Sequence, residues 1–110
     1  MADITEARKA LVARILEGKG TAPPPQRRAA FDNAGLAEPL RTLIDKVARY
    51  AYKVTDADIA AARRSGLSED EIFELVVCAA IGQATRQYDT ARAALEAATK
   101  RSEHASRDSR

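Results

Sequence analysis

Apolar residues along this chain recur at helical spacing almost throughout. Ile4, Ala7, Leu11, Val12 and Ile15 fall on one stripe, opened by Asp3 with Glu6 three residues on and closed by Gly18, which predicts a helix over 3–17 that docks on the body. Residues 18–26 hold three successive prolines and read as a linker, followed by a short helix over 27–34 that stops at Gly35. Leu40, Leu43, Ile44, Val47, Ala48 and Ala51 mark a third helix over about 39–52, with Pro39 in its first turn, where a missing N–H has no partner to lose. Tyr50, Tyr52 and Val54 alternate as a strand would, but the helical period before them outweighs three positions.

Two capping patterns follow. Thr55 with Asp58 predicts a helix over 56–64 ending at Gly66. Ser68 with Glu71 forms a capping box, and Leu67 with Ile72 is placed for a hydrophobic staple, opening a long helix from Glu69 to about Ala98. Within it Leu75 to Ile81 is apolar all round, so this stretch is expected to be enclosed by protein on every side, and Gly82 would let another backbone approach. The last residues, 100–110, lack an apolar period and are expected to be a disordered tail.

Composition strengthens the all-α reading: 24 of 110 residues are alanine, against two Phe, three Tyr and no Trp. One cysteine excludes an internal disulfide, and the usual Cys/His zinc sites lack ligands, so no metal or other cofactor is expected. No apolar run is long enough to span a membrane, and the first residues have neither the basic start nor the apolar block of a secretory signal; the expected setting is cytoplasmic. The net charge of +2 divides unevenly, with six basic and four acidic residues over 1–35, eight and ten over 36–99, and four and two over 100–110. A slightly acidic body gives no support to a nucleic-acid or membrane partner. The spacing Ala62-x3-Gly66-x5-Ile72 also suits a helix-turn-helix, but the second helix would open on Glu69, Asp70, Glu71 and then Glu74, carboxylates that phosphates would have to approach.

Few residues offer chemistry. Cys78 reads either as a nucleophilic or peroxide-reactive thiol or as a small buried hydrophobe, the second being the commoner fate of a free cysteine. His104 is the sole imidazole and lies in the tail. Glu74 and Tyr88 border the apolar run and could point into an interhelical cavity that binds a small molecule.

The run from Val54 to Gly82, clearest from Ala62 to Ala80 where a short helix ends in Gly66-Leu67-Ser68 before an acidic helix start and an apolar helix, resembles carboxymuconolactone decarboxylase-like and alkylhydroperoxidase D-like proteins. The resemblance covers residues 36–98, and residues 4–35 are similar to short, cysteine-poor members. It implies an alkylhydroperoxidase D-like fold, with 1–17 a docking helix, 18–35 a linker with a short helix, and 36–99 the helical core. It also implies a homo-oligomer. Redox members pair a glutamate with Cys-x-x-C and a histidine. Here Ala51 and Val54 stand at the cysteine positions, Asp58 at the histidine position, and Glu38 near the glutamate, one residue out of register. The dithiol is missing, so the expected role is a redox-inactive assembly or small-molecule-binding subunit. The alternative is an enzyme, a hydroperoxidase using Cys78 alone or a lactone decarboxylase-like catalyst drawing on Glu38 and Asp58.

Overall fold

The computed structural model describes residues 2–108, all-helical with no strand among them. The helices are α1 (Ala2–Glu17), α2 (Pro24–Asp32), α3 (Leu40–Arg49), α4 (Asp56–Arg64) and α5 (Glu69–Asp108), with a 3₁₀ turn at Ala51–Lys53. At 40 residues and about 1.5 Å per residue, α5 is roughly 60 Å long, and it sets the 67 Å longest dimension of the molecule. The other four helices gather on its N-terminal half, where Leu43, Ile44 and Ala62 close over Leu75, Cys78 and Ala79.

Local sequence explains most of the helix ends. Thr55 accepts from the Asp58 N–H while the Asp58 carboxylate accepts from Thr55 N, a reciprocal box at the start of α4. Ser68 and Glu71 repeat the exchange at the start of α5, at 3.1 Å in both directions, a cap worth about 1 kcal/mol. Gly66 supplies the turn between α4 and α5 with φ of 106°, a conformation that side chains resist.

The segment expected to be linker over 18–26 instead begins α2 at Pro24. Pro23 is the extended N-cap and Pro24 and Pro25 occupy the first turn, where prolines forfeit no hydrogen bond. α2 stops before Gly35, because Asn33 adopts the left-handed conformation (φ 52°, ψ 47°) and Ala34 N donates back to Ala29 O. Asn33 Nδ2 also donates to Asp45 on α3 at 2.9 Å, which rewards that stop. α3 likewise ends short of Tyr52, at Arg49, and the chain turns through Tyr50, whose ring packs edge-on against Tyr52 and lies under Arg49 and Lys53.

Three further expectations are corrected. The apolar contact of α1 comes from its C-terminal half, by Val12, Ile15 and Leu16, leaving Ile4 and Leu11 exposed. Its other half is held by Arg8, which pairs with Asp89 and lies 5.0 Å above the Tyr88 ring. The 75–81 stretch is covered on one side: Leu75, Cys78 and Ala79 are buried, Val76, Val77 and Ile81 are half-buried, and Ala80 is exposed with Phe73 beside it. Four short helices suffice to cover one face of α5. Residues 100–108, expected to be disordered, continue α5, since Lys, Arg, Glu and Ala sustain an exposed helix without an apolar stripe. The side chain of His104 and positions 109 and 110 lie outside the described residues.

The tightest crossing is between α2 and α5. At Gly82 an added Cβ would fall 2.0 Å from the Phe31 carbonyl oxygen, so glycine here is what lets the two backbones meet, as its placement suggests. Arg86, one turn further, donates to the same oxygen at 2.6 Å.

Candidate functional site

The best-built polar arrangement joins α1, α2 and α5 around the segment 18–22. This segment carries backbone N–H groups that no helix satisfies, and Glu74 of α5 collects them. Its carboxylate accepts from Thr21 N at 2.7 and 2.9 Å and from Ala22 N at 2.7 Å. Gly20 makes room for it, because a Cβ there would lie 2.0 Å from Glu74 Oε1. Arg27 of α2 gathers the acceptors of the same segment. Its Nε donates to Ala22 O at 2.9 Å, and Nη1 donates to Ile15 O at 3.1 Å and Gly18 O at 2.8 Å. At 5 % exposure Arg27 is the one buried charged residue among those described. A charge so placed is tolerable because fixed carbonyl dipoles replace its hydration.

Beside this clamp is a cavity of about 200 Å³, bounded by Arg14, Ile15, Lys19, Arg27, Phe73, Glu74, Val77 and Cys78. Cys78 lies deep in it, 1 % exposed, with Sγ 3.9 Å from Ile15 O. Burial pushes its thiol above the ordinary range; the Arg27 cation opposes that and the Glu74 anion adds to it. The result is a protonated thiol at neutral pH, a poor nucleophile.

Two of the residues singled out from sequence, Glu74 and Cys78, therefore share one cavity. The other three lie elsewhere. Tyr88 is on the outer surface of α5 under the Arg8 guanidinium and joins α1 to α5. Glu38 precedes α3 and accepts from Thr42 N at 2.9 Å and from the Thr42 hydroxyl, which with nearby Arg41 holds its carboxyl below the ordinary range. It borders a separate depression of about 440 Å³ with Pro25, Leu36 and Ser65. Asp58 is bound by Lys46 Nζ at 2.9 and 3.0 Å and by the Thr55 N–H, and these hold it low in turn. Both carboxylates are occupied as helix caps and stay ionised, the opposite of a proton donor poised near neutrality. Ala51 and Val54, aligned above with thiols, lie on the 3₁₀ turn and just after it.

Arg27 and Gly20 escaped the sequence reading. A signal for Arg27 exists: it stands three and four residues before Ala30 and Phe31, on the face of α2 that faces the core. Gly20 carries none, because its role depends on a carboxylate 54 positions away.

Among the described residues no group of three or more His, Cys, Asp or Glu side chains could hold a metal ion, and no helix is long and apolar enough to cross a membrane. Comparison of the chain with protein-family models, with curated proteins and with solved structures finds no match in any of the three.

Proposed function

We propose that this chain is a redox-inactive, cytoplasmic assembly subunit, similar to the cysteine-poor carboxymuconolactone decarboxylase-like proteins, that pairs with a second copy of itself along α5. The observation that carries this reading is the apolar ridge on the side of α5 facing away from the core. Phe73, Val77, Ala80, Ala84, Ala91, Leu95 and Ala98 fall within one narrow stripe at 100° per residue, with Tyr88 at its edge. Phe73 and Leu95 are each 68 % exposed, and every residue from Gln87 to Glu103 is exposed. Over the 26 residues from Phe73 to Ala98 the ridge is about 38 Å long, a contiguous exposed apolar strip of the kind that marks an interaction surface.

An antiparallel pair centred on Ala84 suits this ridge. It sets Phe73 against Leu95, Val77 against Ala91 and Ala80 against Tyr88, a self-complementary two-fold contact. It also brings Glu69 beside Arg101, which lies on the same flank at the opposite end, and Asp70 towards Arg92. A parallel pair would set like charges together. The redox-inactive part rests on Cys78, which is buried and protonated, and on the absence of a second thiol.

Light scattering coupled to size-exclusion chromatography tests the pairing. The expected mass is twice 11.9 kDa at high micromolar concentration. Ala84→Glu, which sets two carboxylates on the two-fold axis, should return the chain to a monomer with unchanged helical circular dichroism. A wild-type monomer, or an assembly that Ala84→Glu leaves intact, overturns the reading.

A further inference from the structure

We infer that the cavity between α1, α2 and α5 is a binding site for a small organic monocarboxylate, its head on Arg27 and its apolar body against Ile15, Phe73 and Val77. The inference uses side chains of one protomer, of which Phe73 and Val77 also stand on the α5 ridge. Arg27 is more than nine-tenths buried, and its guanidinium is only partly used: Nε and Nη1 are committed to three carbonyls, while Nη2 has no acceptor among the described residues. Two N–H donors of a fixed cation are thus left beside a cavity that Arg27 lines. Nη2 is not sealed from solvent, so an incoming acceptor can reach it, and a carboxylate oxygen is the acceptor that suits a guanidinium best.

The surroundings narrow the ligand class. Arg14, Lys19 and Arg27 against Glu74 give the lining three positive charges and one negative, a net of +2. Arg14 and Lys19 are exposed, so they stand where a ligand enters and would draw an anion in. The one carboxylate, Glu74, has its oxygens turned to the Thr21 and Ala22 N–H groups, which blunts its repulsion without removing it. Phosphate is disfavoured by the apolar walls, where its remaining oxygens would find no donor. The other walls, Ile15, Phe73, Val77 and the protonated Cys78, present no strong donor and so suit a hydrocarbon body. A volume of about 200 Å³ has room for a short aliphatic or single-ring acid, since an apolar cavity of about 150 Å³ holds benzene.

Titration of the full chain with benzoate, hexanoate, benzyl alcohol and inorganic phosphate decides this, followed by calorimetry and by the Arg27 side-chain Nε–H resonance. Benzoate or hexanoate should bind, shift that resonance, and exceed benzyl alcohol in affinity by about tenfold or more, as expected for a charged hydrogen bond. Phosphate should bind more weakly than either acid. Because Arg27 also ties down the 18–22 segment, the exposed residues carry the mutational arm: the double variant Arg14→Gln, Lys19→Gln should fold normally and lose about threefold to tenfold in affinity. Equal binding of benzyl alcohol, phosphate binding as tightly as benzoate, no effect of the double variant, or no binding of either acid at millimolar concentration would each overturn the inference. Because Phe73 and Val77 also belong to the α5 ridge, the titrations are run on both the parent chain and Ala84→Glu, and the mass measurement reads the pairing itself.

Discussion

Replacing Gly82 with alanine sets two well-measured effects against each other at one position. Inside a helix the exchange alone favours alanine by about 1 kcal/mol. In this fold the new methyl group would fall 2.0 Å from Phe31 O, 2.8 Å from its carbonyl carbon and 3.0 Å from its Cα. These are backbone atoms of α2 and cannot rotate away. Restoring an ordinary contact of 3.4 Å requires α2 to retreat by 3.4 − 2.0 = 1.4 Å. That movement stretches the Arg86 to Phe31 hydrogen bond, now 2.6 Å, and opens the packing of Ala30 and Phe31 on α5. Overpacking of this kind costs about 1–3 kcal/mol, and a weakened charge-assisted hydrogen bond adds about 1.5 kcal/mol, so the loss outweighs the propensity gain. The net destabilisation expected for Gly82→Ala is about 2 kcal/mol. With a urea slope of about 2 kcal/mol per molar the midpoint falls by roughly 1 M. Ala93→Gly is the control: exposed on the same helix and off the apolar ridge, it should cost about 1 kcal/mol by propensity alone. Both variants should therefore lose stability although they reverse each other chemically. Measured at one protein concentration, a Gly82→Ala chain as stable as the parent or more so would refute the close crossing of α2 and α5.

Two other outcomes follow from the carboxylates and the thiol. Cys78 should react with a thiol reagent far more slowly in the native chain than in denaturant, the protein should show no peroxide turnover with small thiol reductants, and Cys78→Ser should change neither result; rapid native labelling with peroxide consumption lost in Cys78→Ser would restore the enzyme reading. Glu38 and Asp58 have folded values below their ordinary 4.5 and 3.8, so their contribution is complete above about pH 4.5 and is lost as acid protonates them in the fold. Denaturation midpoints should accordingly fall on acidification through that region, and Asp58→Asn should lower the midpoint at pH 7 while flattening part of the acid decline; an unchanged acid profile would mean that Lys46 and Thr55 do not hold Asp58 as described.

The sequence alone determined the all-α class and the helix boundaries set by neighbouring residues. Thr55 with Asp58, Ser68 with Glu71 and the turn at Gly66 could be read directly, because a cap satisfies backbone groups within one turn of itself. The spacing of Leu43, Ile44, Leu75 and Ala79 announced the core for the same reason, since helical period decides which residues share a face. Glu74 and Cys78 could be named as candidates from their place beside the apolar run. That they share a cavity could not, because its walls come from α1, α2 and α5, and the place of Arg27 on the apolar face of α2 does not say which carbonyls it meets. Tertiary packing decided the rest. The prolines began a helix because they fall in its first turn, and packing fixed the segment before them through Glu74 and Arg27. The apolar run from Leu75 to Ile81 that looked enclosed was left open at Ala80 and half-covered at Val77, because how many neighbours cover a helix depends on the paths of the other helices. Those paths are set by contacts more than fifty positions apart, such as Phe31 with Gly82 and Thr21 with Glu74, and no local pattern encodes them.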